Sequence, residues 1–389
     1  MSQLADRLSL FQESVIREMT RKAIEHDAIN LSQGMPDYIP HKQLVEGIGE
    51  SIQENEHQYT VTYGRADLRE KISNKYVSFN KILYNSEDEI TVTCGASEAI
   101  ASSILAVLNP DDEILILSPW YENYVPITYL AGGKPVFVDL NEESFRLDEE
   151  ATKEAISPKT KAIIINTPHN PSGKVFSKNE LRLLSDICTD NNILAITDEI
   201  YEHIIYDNLE HVSPASIDNM FERTITISGF SKTYSITGWR IGYALAEKKL
   251  MEGIRKVHDY LTICAPSLLQ YAALRTFDFL PSYFQELKER YQTNRDFIVS
   301  KLRSFGFRIV EPKGAYYLLA DVSPFDMNDK DFADFLVKDK GVATVPGSSF
   351  YEKTNEISKG SKYIRFSFSH KLETLQEAML RIERRLKEK

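Results

Sequence analysis

Cysteine, basic charge and long apolar runs are all scarce in this sequence. Its 389 residues include only three cysteines, Cys94, Cys188 and Cys264, and no Cys-x-x-Cys pair. This spacing excludes a zinc ribbon, argues against a disulfide framework and indicates a reducing cytoplasm. The longest apolar stretches, such as residues 99–108, are too short to span a membrane, and charges interrupt the N-terminus too often for a signal peptide.

The charge and the missing motifs exclude further classes of protein. There are 46 basic and 57 acidic residues, and the net charge of −11 argues against nucleic acid or an anionic membrane as the main partner. No Gly-x-Gly-x-x-Gly follows the first strand, which disfavours a nicotinamide dehydrogenase. No Gly-x-Ser-x-Gly elbow is present either, so a serine hydrolase is equally disfavoured.

What the sequence does contain is an alternation of apolar strands and amphipathic helices between about residues 90 and 245. The predicted strands are ITVTC, EILILS, KPVFVDL, KAIIINT, NILAITD, RTITIS and RIGYALA. Near-continuous apolar character suits strands that are buried on both faces. We therefore predict an α/β fold with a mainly parallel seven-stranded sheet flanked by helices, plus a smaller α+β domain. Helices are expected at residues 178–191, 249–261, 281–305 and 372–389.

Polar residues gather where these predicted strands end, which is where sites form in such sheets. Gly95, Ala96 and Ser97 follow the first strand and begin a helix, an arrangement that suits either a phosphate or a plain turn. Asn170 lies in the rigid turn NTPHNPSG after another strand. Asp198 ends a third strand, and its buried carboxylate needs a partner: a protonated ring nitrogen, a metal or a helix terminus.

Two further segments carry positively charged side chains in apolar surroundings. Lys232, in the segment SGFSKTYSITGWRIG, is expected to be partly desolvated, and this frees its amine to attack carbonyl groups. Arg240 follows eight residues later and is suited to clamp a phosphate. Arg365, inside the apolar strand YIRFS, requires a carboxylate from a substrate or from an internal ion pair.

Taken together, these motifs resemble those of the fold-type I, pyridoxal-5′-phosphate (PLP)-dependent aminotransferases of class I/II. The resemblance runs from LSQGMPD to YIRFSFS, and it is greatest to archaeal and bacterial aromatic and aspartate aminotransferases. It implies PLP as cofactor, amino acid and 2-oxo acid substrates, no metal, and a cytoplasmic homodimer. The expected division is an N-terminal segment (1–45), a large PLP-binding domain (46–280) and a small domain (281–389).

The resemblance also implies a role for each matched residue. Lys232 would form the Schiff base with PLP and then move the proton, and Asp198 would pair with the pyridinium nitrogen. Tyr201 would bond to the ring hydroxyl oxygen and counts with these two as catalytic. The other residues assigned to cofactor and substrate are the phosphate-binding Gly95, Ala96, Ser97, Ser231 and Arg240, the ring-binding Tyr121 and Asn170, and the substrate-binding Arg365, Asn170 and Gly34.

Three points complete the prediction. Tyr59 matches a tyrosine that reaches the phosphate of a neighbouring subunit, so the active sites would be shared. Gly229 stands where many members of the family have serine. One hydroxyl contact to the phosphate is therefore either missing or provided by Ser231.

The sequence favours aromatic or large apolar donors because it places four tyrosines around the expected site: Tyr59, Tyr63, Tyr121 and Tyr124. The resemblance implies 2-oxoglutarate as the acceptor. Aspartate is the alternative, with Arg17 or Arg21 as the extra cation. A C–S lyase or a decarboxylase of the same fold is the third reading, because the cofactor residues are shared.

Overall fold

The structure, a computed structural model, describes residues 4–352 and 358–386. Expectations that concern residues 1–3, 353–357 and 387–389, including the end of the last predicted helix, lie outside the described residues. The helices are α1 (Val15–Glu25), α2 (Lys42–Gln53), α3 (Ala66–Lys75), α4 (Ala96–Val107), α5 (Tyr124–Leu130), α6 (Glu149–Glu154), α7 (Lys178–Asp190), α8 (Lys248–Thr262), α9 (Ser267–Ala273), α10 (Pro281–Ser304), α11 (Asp329–Lys340) and α12 (Leu372–Leu386).

The strands form a large sheet and two small ones. They are β1 (Ile29–Asn30), β2 (Ile90–Thr93), β3 (Glu113–Ser118), β4 (Lys134–Asp139), β5 (Thr160–Asn166), β6 (Leu194–Asp198), β7 (Thr224–Gly229), β8 (Gly242–Leu245), β9 (Arg308–Ile309), β10 (Tyr317–Asp321), β11 (Val342–Ala343), β12 (Val345–Pro346) and β13 (Tyr363–Ser367).

The large sheet has the strand order β2-β8-β7-β6-β5-β3-β4. Strand β8 runs antiparallel to both of its neighbours, and the other six strands run in one direction. All seven predicted strands are present, so the predicted mainly parallel seven-stranded sheet is confirmed. Because the six strands are parallel, their carboxyl ends meet at one edge, and the polar segments that follow them come together there.

Strand β3 shows why the apolar runs are continuous rather than alternating. Ile114 and Ile116 pack on one face of the sheet in a core that includes α4 and α8. Leu115 and Leu117 pack on the other face, in a core that includes α7. Helices therefore cover both faces, and a polar residue in the middle of this strand would be desolvated on either side.

A further core lies mostly in the C-terminal part of the chain. Strands β12, β13, β10 and β9 form an antiparallel sheet in that order, against which α10, α11 and α12 pack. Strand β1, from the N-terminal segment, pairs with β11 through Ile29 and Val342. The boundaries at residues 45/46 and 280/281 stay a prediction.

The four predicted helices match α7, α8, α10 and the described part of α12 to within one or two residues at the ends that the structure describes. The Ser177 side chain caps α7, and Glu180 completes a capping box there. Within the described ranges, no helix has both the length and the apolar character needed to cross a membrane.

Candidate active site

A cavity of about 470 Å³ opens at the carboxyl edge of the large sheet, between this sheet and β13. Eleven of the thirteen predicted site residues line it; Gly95 and Tyr59 do not. The eleven are Gly34, Ala96, Ser97, Tyr121, Asn170, Asp198, Tyr201, Ser231, Lys232, Arg240 and Arg365.

Lys232 reaches into this cavity from the turn after β7. Its Nζ donates to the carbonyl oxygen of Gly34 at 3.1 Å. Burial, with a further effect from the nearby Arg240 charge, lowers the pKa of Lys232 to about 8. A side chain at position 34 would overlap the Tyr317 ring, because a Cβ there would lie 2.7 Å from Cζ of that tyrosine. Gly34 is therefore required for the backbone to approach the lysine.

Asp198 ends β6 and is almost fully buried. Its Oδ2 accepts a hydrogen bond from the Tyr124 hydroxyl at 2.8 Å, and its Oδ1 accepts one from the Ile200 amide at 3.3 Å. Burial raises the pKa of Asp198 to about 6, although these hydrogen bonds act in the opposite direction. The carboxylate forms no ion pair within the described ranges. The role of Tyr124 was missed, since the sequence placed it on the cavity wall.

Arg365 is completely buried on β13, with its guanidinium 4.5 Å from the centre of the Tyr317 ring. It donates to Asn170 Oδ1 at 2.9 Å and to the Ser32 carbonyl oxygen. Its Nε has no hydrogen-bond partner, and among the described residues no carboxylate pairs with it. The internal ion pair considered for this arginine is absent from that part of the chain. A buried guanidinium without a counter-charge is suited to bind the carboxylate of a ligand.

The predicted phosphate-binding residues meet at the N-terminus of α4. Gly95 is the N-cap residue, with a φ of 78°, and Ser97 lies in the first turn. The Arg240 Nη2 donates to the Cys94 carbonyl oxygen at 3.4 Å, and a Cβ on Gly95 would lie 2.8 Å from the Arg240 Cζ. Gly95 therefore lies behind the cavity wall and makes room for the arginine. Exposed helix N–H groups, a hydroxyl and a guanidinium together suit a phosphate.

Two glycines set the distance between this turn and the lysine loop. Gly229 ends β7 opposite Gly242, the first residue of β8. A Cβ on Gly229 would lie 2.8 Å from the Gly242 Cα and 3.0 Å from the Ile241 carbonyl oxygen. A Cβ on Gly242 would lie 2.9 Å from the Gly95 Cα. No serine fits at position 229 without moving the main chain, whereas Ser231 lines the cavity.

Of the four tyrosines predicted around the substrate, only Tyr121 lines the cavity. Tyr59 is 76% exposed and lies elsewhere on the surface. The Tyr63 ring is stacked against Arg255, 3.8 Å from its guanidinium carbon. The sequence missed Tyr317, which lines the cavity and accepts a hydrogen bond from the Tyr201 hydroxyl at 3.2 Å. Its only signal was the aromatic pair at the start of β10.

Helix α1 and its N-cap residue form part of the cavity wall. Its N-cap residue, Ser14, donates from Oγ to Glu122, and Arg17 lines the cavity one turn later. Arg17 makes no side-chain hydrogen bond or ion pair within residues 4–352 and 358–386. Arg21, by contrast, is bound to Glu13 at 2.7 Å in an exposed pair. Of the two candidate cations, the structure thus brings Arg17 to the cavity.

A buried cluster of Glu199, Glu202 and His211 lies beside Asp198 in sequence and has the ligand spacing of a metal site. Its carboxylate oxygens already accept hydrogen bonds. Those of Glu199 accept from Thr197, Ser213 and His211. Those of Glu202 accept from Ser228, Asn80 and Lys75. These donors occupy the positions that a cation would need, so we interpret the cluster as a structural network.

Comparison with known proteins identifies the family. Residues 26–382 match the family described as aminotransferase class I and II. The chain belongs to the class I and II aminotransferases. This aminotransferase is 37% identical to an aspartate aminotransferase of Pyrococcus abyssi and 35% identical to aromatic-amino-acid aminotransferase 2 of Thermococcus litoralis, over 99% of each chain. The solved structure of N-succinyldiaminopimelate aminotransferase from Mycobacterium tuberculosis superimposes with a TM-score of 0.93 at 34% identity, over 97% of this chain and 99% of that one.

The predicted fold, enzyme class and amino-acid transamination are thereby confirmed. Members of this family use PLP, and the cavity fits that cofactor. It offers a buried carboxylate that no cation of the described residues pairs with, an amine of lowered pKa, and a helix N-terminus with an arginine beside it. These are partners for a ring nitrogen, an aldehyde and a phosphate, respectively.

Proposed function

We propose that this aminotransferase uses Lys232, Asp198 and Arg365 as the central groups of its reaction, with 2-oxoglutarate as the amino acceptor. The observation that carries the proposal is that these three ionisable side chains line one cavity and that none of them forms an ion pair within the described ranges. Each requires a ligand group of its own, because burying an uncompensated charge is costly.

Each cavity residue would have a role in the reaction that follows from its position. PLP, when bound, supplies an electron sink for the carbanion at the substrate Cα. The Lys232 Nζ would hold the cofactor and, once released, move the proton to and from that carbon. Asp198 would stay ionised next to the ring nitrogen and keep it protonated. Arg365 would bind the α-carboxylate, with the Asn170 side chain and the Gly34 backbone beside it, and so orient the Cα–H bond.

The remaining cavity residues would hold the cofactor in place. The Asn170 Oδ1 is taken by Arg365, so its Nδ2 remains to donate to the ring oxygen. The Tyr201 hydroxyl would donate to the same oxygen once its hydrogen turns away from Tyr317. Tyr121 would stack on the ring. The phosphate would be bound by Gly95, Ala96, Ser97, Ser231 and Arg240.

Arg17 supports a dicarboxylic acceptor. Arg17 lines the cavity as an exposed residue of α1, whereas Arg365 lines it as a fully buried residue of β13. A substrate whose α-carboxylate binds Arg365 would present its distal carboxylate to Arg17. 2-Oxoglutarate has this arrangement, and so does aspartate, which makes aspartate transamination the second candidate function.

Fewer tyrosines line the cavity than the sequence suggested, which weakens the argument for aromatic donors. Tyr59, Tyr63 and Tyr124 do not line the cavity, so the preference for aromatic or large apolar donors now depends on Tyr121 and Tyr317. It stays a prediction. Elimination by a C–S lyase would release pyruvate from cysteine-type substrates without forming a new amino acid.

The Arg17→Gln variant tests the acceptor and the second candidate together. We expect kcat/KM for 2-oxoglutarate to fall about tenfold or more, as expected for the loss of a charge-assisted hydrogen bond worth about 1.5–3 kcal/mol. Measurements with phenylalanine, methionine and aspartate as donors identify the donor class. The matched control is Arg21→Gln, on the same helix but bound to Glu13. It should leave kcat/KM unchanged for 2-oxoglutarate and for each of the donors.

The outcomes separate the readings. A fall for 2-oxoglutarate alone supports aromatic or apolar donors, and a fall for both 2-oxoglutarate and aspartate supports the aspartate function. If Arg17→Gln leaves 2-oxoglutarate unchanged, the distal-carboxylate assignment is wrong. Pyruvate release without amino transfer would contradict the whole proposal.

We further propose a cytoplasmic homodimer with shared active sites. Tyr59 is exposed and outside its own cavity, and Tyr260, Leu261 and Ile263 are also exposed large side chains. A second copy would cover such side chains, and Tyr59 would reach its phosphate. All three cysteines are free thiols, which suits a reducing compartment. Sedimentation that finds a fully active monomer would contradict the dimer. A Tyr59→Phe variant with unchanged PLP affinity would contradict the shared active site.

A further inference from the structure

Beneath the phosphate turn lies a buried pair of ionisable residues, Glu98 and His258, to which the reaction assigns no role. Glu98 is in the first turn of α4, and His258 is on α8. The side chain of His258 is completely buried and that of Glu98 is 9% exposed. The imidazole Nδ1 lies 3.1 Å from each carboxylate oxygen of Glu98.

The hydrogen-bond geometry determines the protonation state of His258. Its Nδ1 faces the Glu98 carboxylate, and its Nε2 lies 2.7 Å from the Thr62 carbonyl oxygen. The Thr262 hydroxyl also lies 3.2 Å from Nδ1, but its hydrogen can be donated to the His258 carbonyl oxygen at 3.4 Å. Because the carboxylate and the Thr62 carbonyl can only accept hydrogen bonds, both ring nitrogens should donate, and only the imidazolium carries two N–H groups. Burial lowers the pKa of His258, but the hydrogen bond and charge of Glu98 outweigh this effect and raise the pKa above its ordinary value.

Glu98 occupies a position where a carboxylate opposes cofactor binding. One of its oxygens accepts the Cys94 amide hydrogen at 3.1 Å, immediately before the turn of Gly95, Ala96 and Ser97. This carboxylate therefore shares the α4 N-terminus with the phosphate dianion, and two negative charges near one helix end repel each other.

We propose that His258 is a positioning residue that, as an imidazolium, neutralises Glu98 and thereby permits the phosphate of PLP to bind at the N-terminus of α4. Glu98 in turn holds the Cys94 amide and shapes the turn. The inference rests on the proposed placement of the phosphate against residues 95–97.

His258 also connects this turn to the segment that carries Tyr59. Its Nε2 donates to Thr62, three residues after Tyr59, and Gln270 binds the same segment through Thr60 Oγ1 at 3.1 Å. If Tyr59 completes the partner's phosphate site, one imidazolium contacts the elements that serve both phosphates of the dimer.

Other charged groups near the pair leave this assignment intact. Arg240 donates to the Cys94 carbonyl oxygen and lines the cavity. Arg255, one turn earlier on α8, is stacked on Tyr63 and bonded to the Thr91 hydroxyl. Asp259 also acts to raise the pKa of His258, more weakly than Glu98.

The test measures affinity for ligands with and without a phosphate, using the full-length apoprotein. In His258→Gln, the dissociation constants of PLP and of inorganic phosphate should each rise about tenfold, the size expected for one uncompensated charge near a helix N-terminus. The dissociation constant of pyridoxal, which lacks the phosphate, should not change. Lys256→Gln, which removes an exposed cation from the same helix, should leave all three constants unchanged.

Rescue separates charge compensation from a general loss of structure. The double variant Glu98→Gln/His258→Gln removes both charges and should restore phosphate affinity to within about threefold of the wild-type value, a difference of less than 1 kcal/mol. Nitrogen-15 NMR of histidine-labelled protein at pH 7.5 should show two N–H groups on His258. A neutral His258 in that spectrum would overturn the inference, and so would a double variant as weak as His258→Gln.

The same titrations separate failure of this inference from failure of the proposed phosphate site. If Arg240→Gln weakens phosphate binding but His258→Gln does not, the charge-compensating role of His258 is wrong and the site stands. If Arg240→Gln also has no effect, the placement of the phosphate is wrong, and the inference falls with it.

Discussion

Asp198 should destabilise the protein whenever its site holds no cationic ligand. Burial raises the pKa of its carboxyl group from 3.8 to about 6 in the folded chain. In the unfolded chain the group is solvated and keeps its ordinary pKa. The folded state therefore binds a proton more tightly, and its stability falls as the pH rises from about 4 to about 6 and stays low above that.

The size of the effect follows from the shift. The difference of about 2.2 pKa units corresponds to about 3 kcal/mol at neutral pH, since one unit is worth about 1.36 kcal/mol. At pH 4.5, where the folded state is still mostly protonated, the same arithmetic gives about 1 kcal/mol. Replacing Asp198 by Asn removes the charge but keeps an oxygen that can accept the hydrogen bond from Tyr124.

Urea unfolding of the apoprotein tests this reasoning. Asp198→Asn should be more stable than the wild type by about 3 kcal/mol at pH 7.5 and by about 1 kcal/mol at pH 4.5. Asp186→Asn, an exposed position on α7, should show no such difference. In the PLP-loaded enzyme the same Asp198→Asn change should lower kcat steeply. The reasoning is refuted if the variant is less stable than the wild type at pH 7.5, or if its advantage does not depend on pH.

Two further predictions concern the lysine loop. Because the pKa of Lys232 is lowered to about 8, the rate at which the apoprotein captures PLP should increase up to about pH 8 and then level off. Stopped-flow absorbance that shows a tenfold rise per pH unit beyond pH 9 would indicate an unshifted lysine. Gly229→Ser should lower the free energy of unfolding by about 1–3 kcal/mol and weaken PLP binding, because its Cβ is too close to Gly242. Gly49→Ser, with open space around it, is the control for thermal unfolding, and tighter PLP binding with unchanged stability would contradict the argument.

Much of the fold could be predicted because buried segments must consist of apolar residues, and this requirement is visible in the sequence. Strands covered on both faces, such as β3, must be apolar throughout, and the polar residues that follow such strands are conspicuous. Asp198, Lys232 and Arg365 were found in this way: each is charged at or inside an apolar segment, where a charge needs a specific partner.

Side-chain directions could not be predicted in the same way. Tyr121 and Tyr124 are three residues apart, yet only Tyr121 lines the cavity. Tyr124 instead donates a hydrogen bond to the Asp198 carboxylate. Tyr63 is stacked against Arg255, a residue almost two hundred positions later in the chain. These outcomes depend on packing between distant segments, which neither periodicity nor motif spacing encodes. The Glu98–His258 pair escaped notice for the same reason.

The close approach of Gly242 to Gly95 has a consequence for changing this enzyme by design. The phosphate turn and the lysine loop meet through glycine main chain at β8, the antiparallel strand of the large sheet: Gly242 lies against Gly229 on one side and against Gly95 on the other. Directed evolution has little freedom at this junction, since almost any replacement moves the cofactor relative to the amine. Helix α1 is different: it reaches the cavity through the side chains of Ser14 and Arg17, which can be exchanged without touching the backbone that positions Lys232. Libraries aimed at new substrates should therefore vary α1 and leave the glycine junction alone.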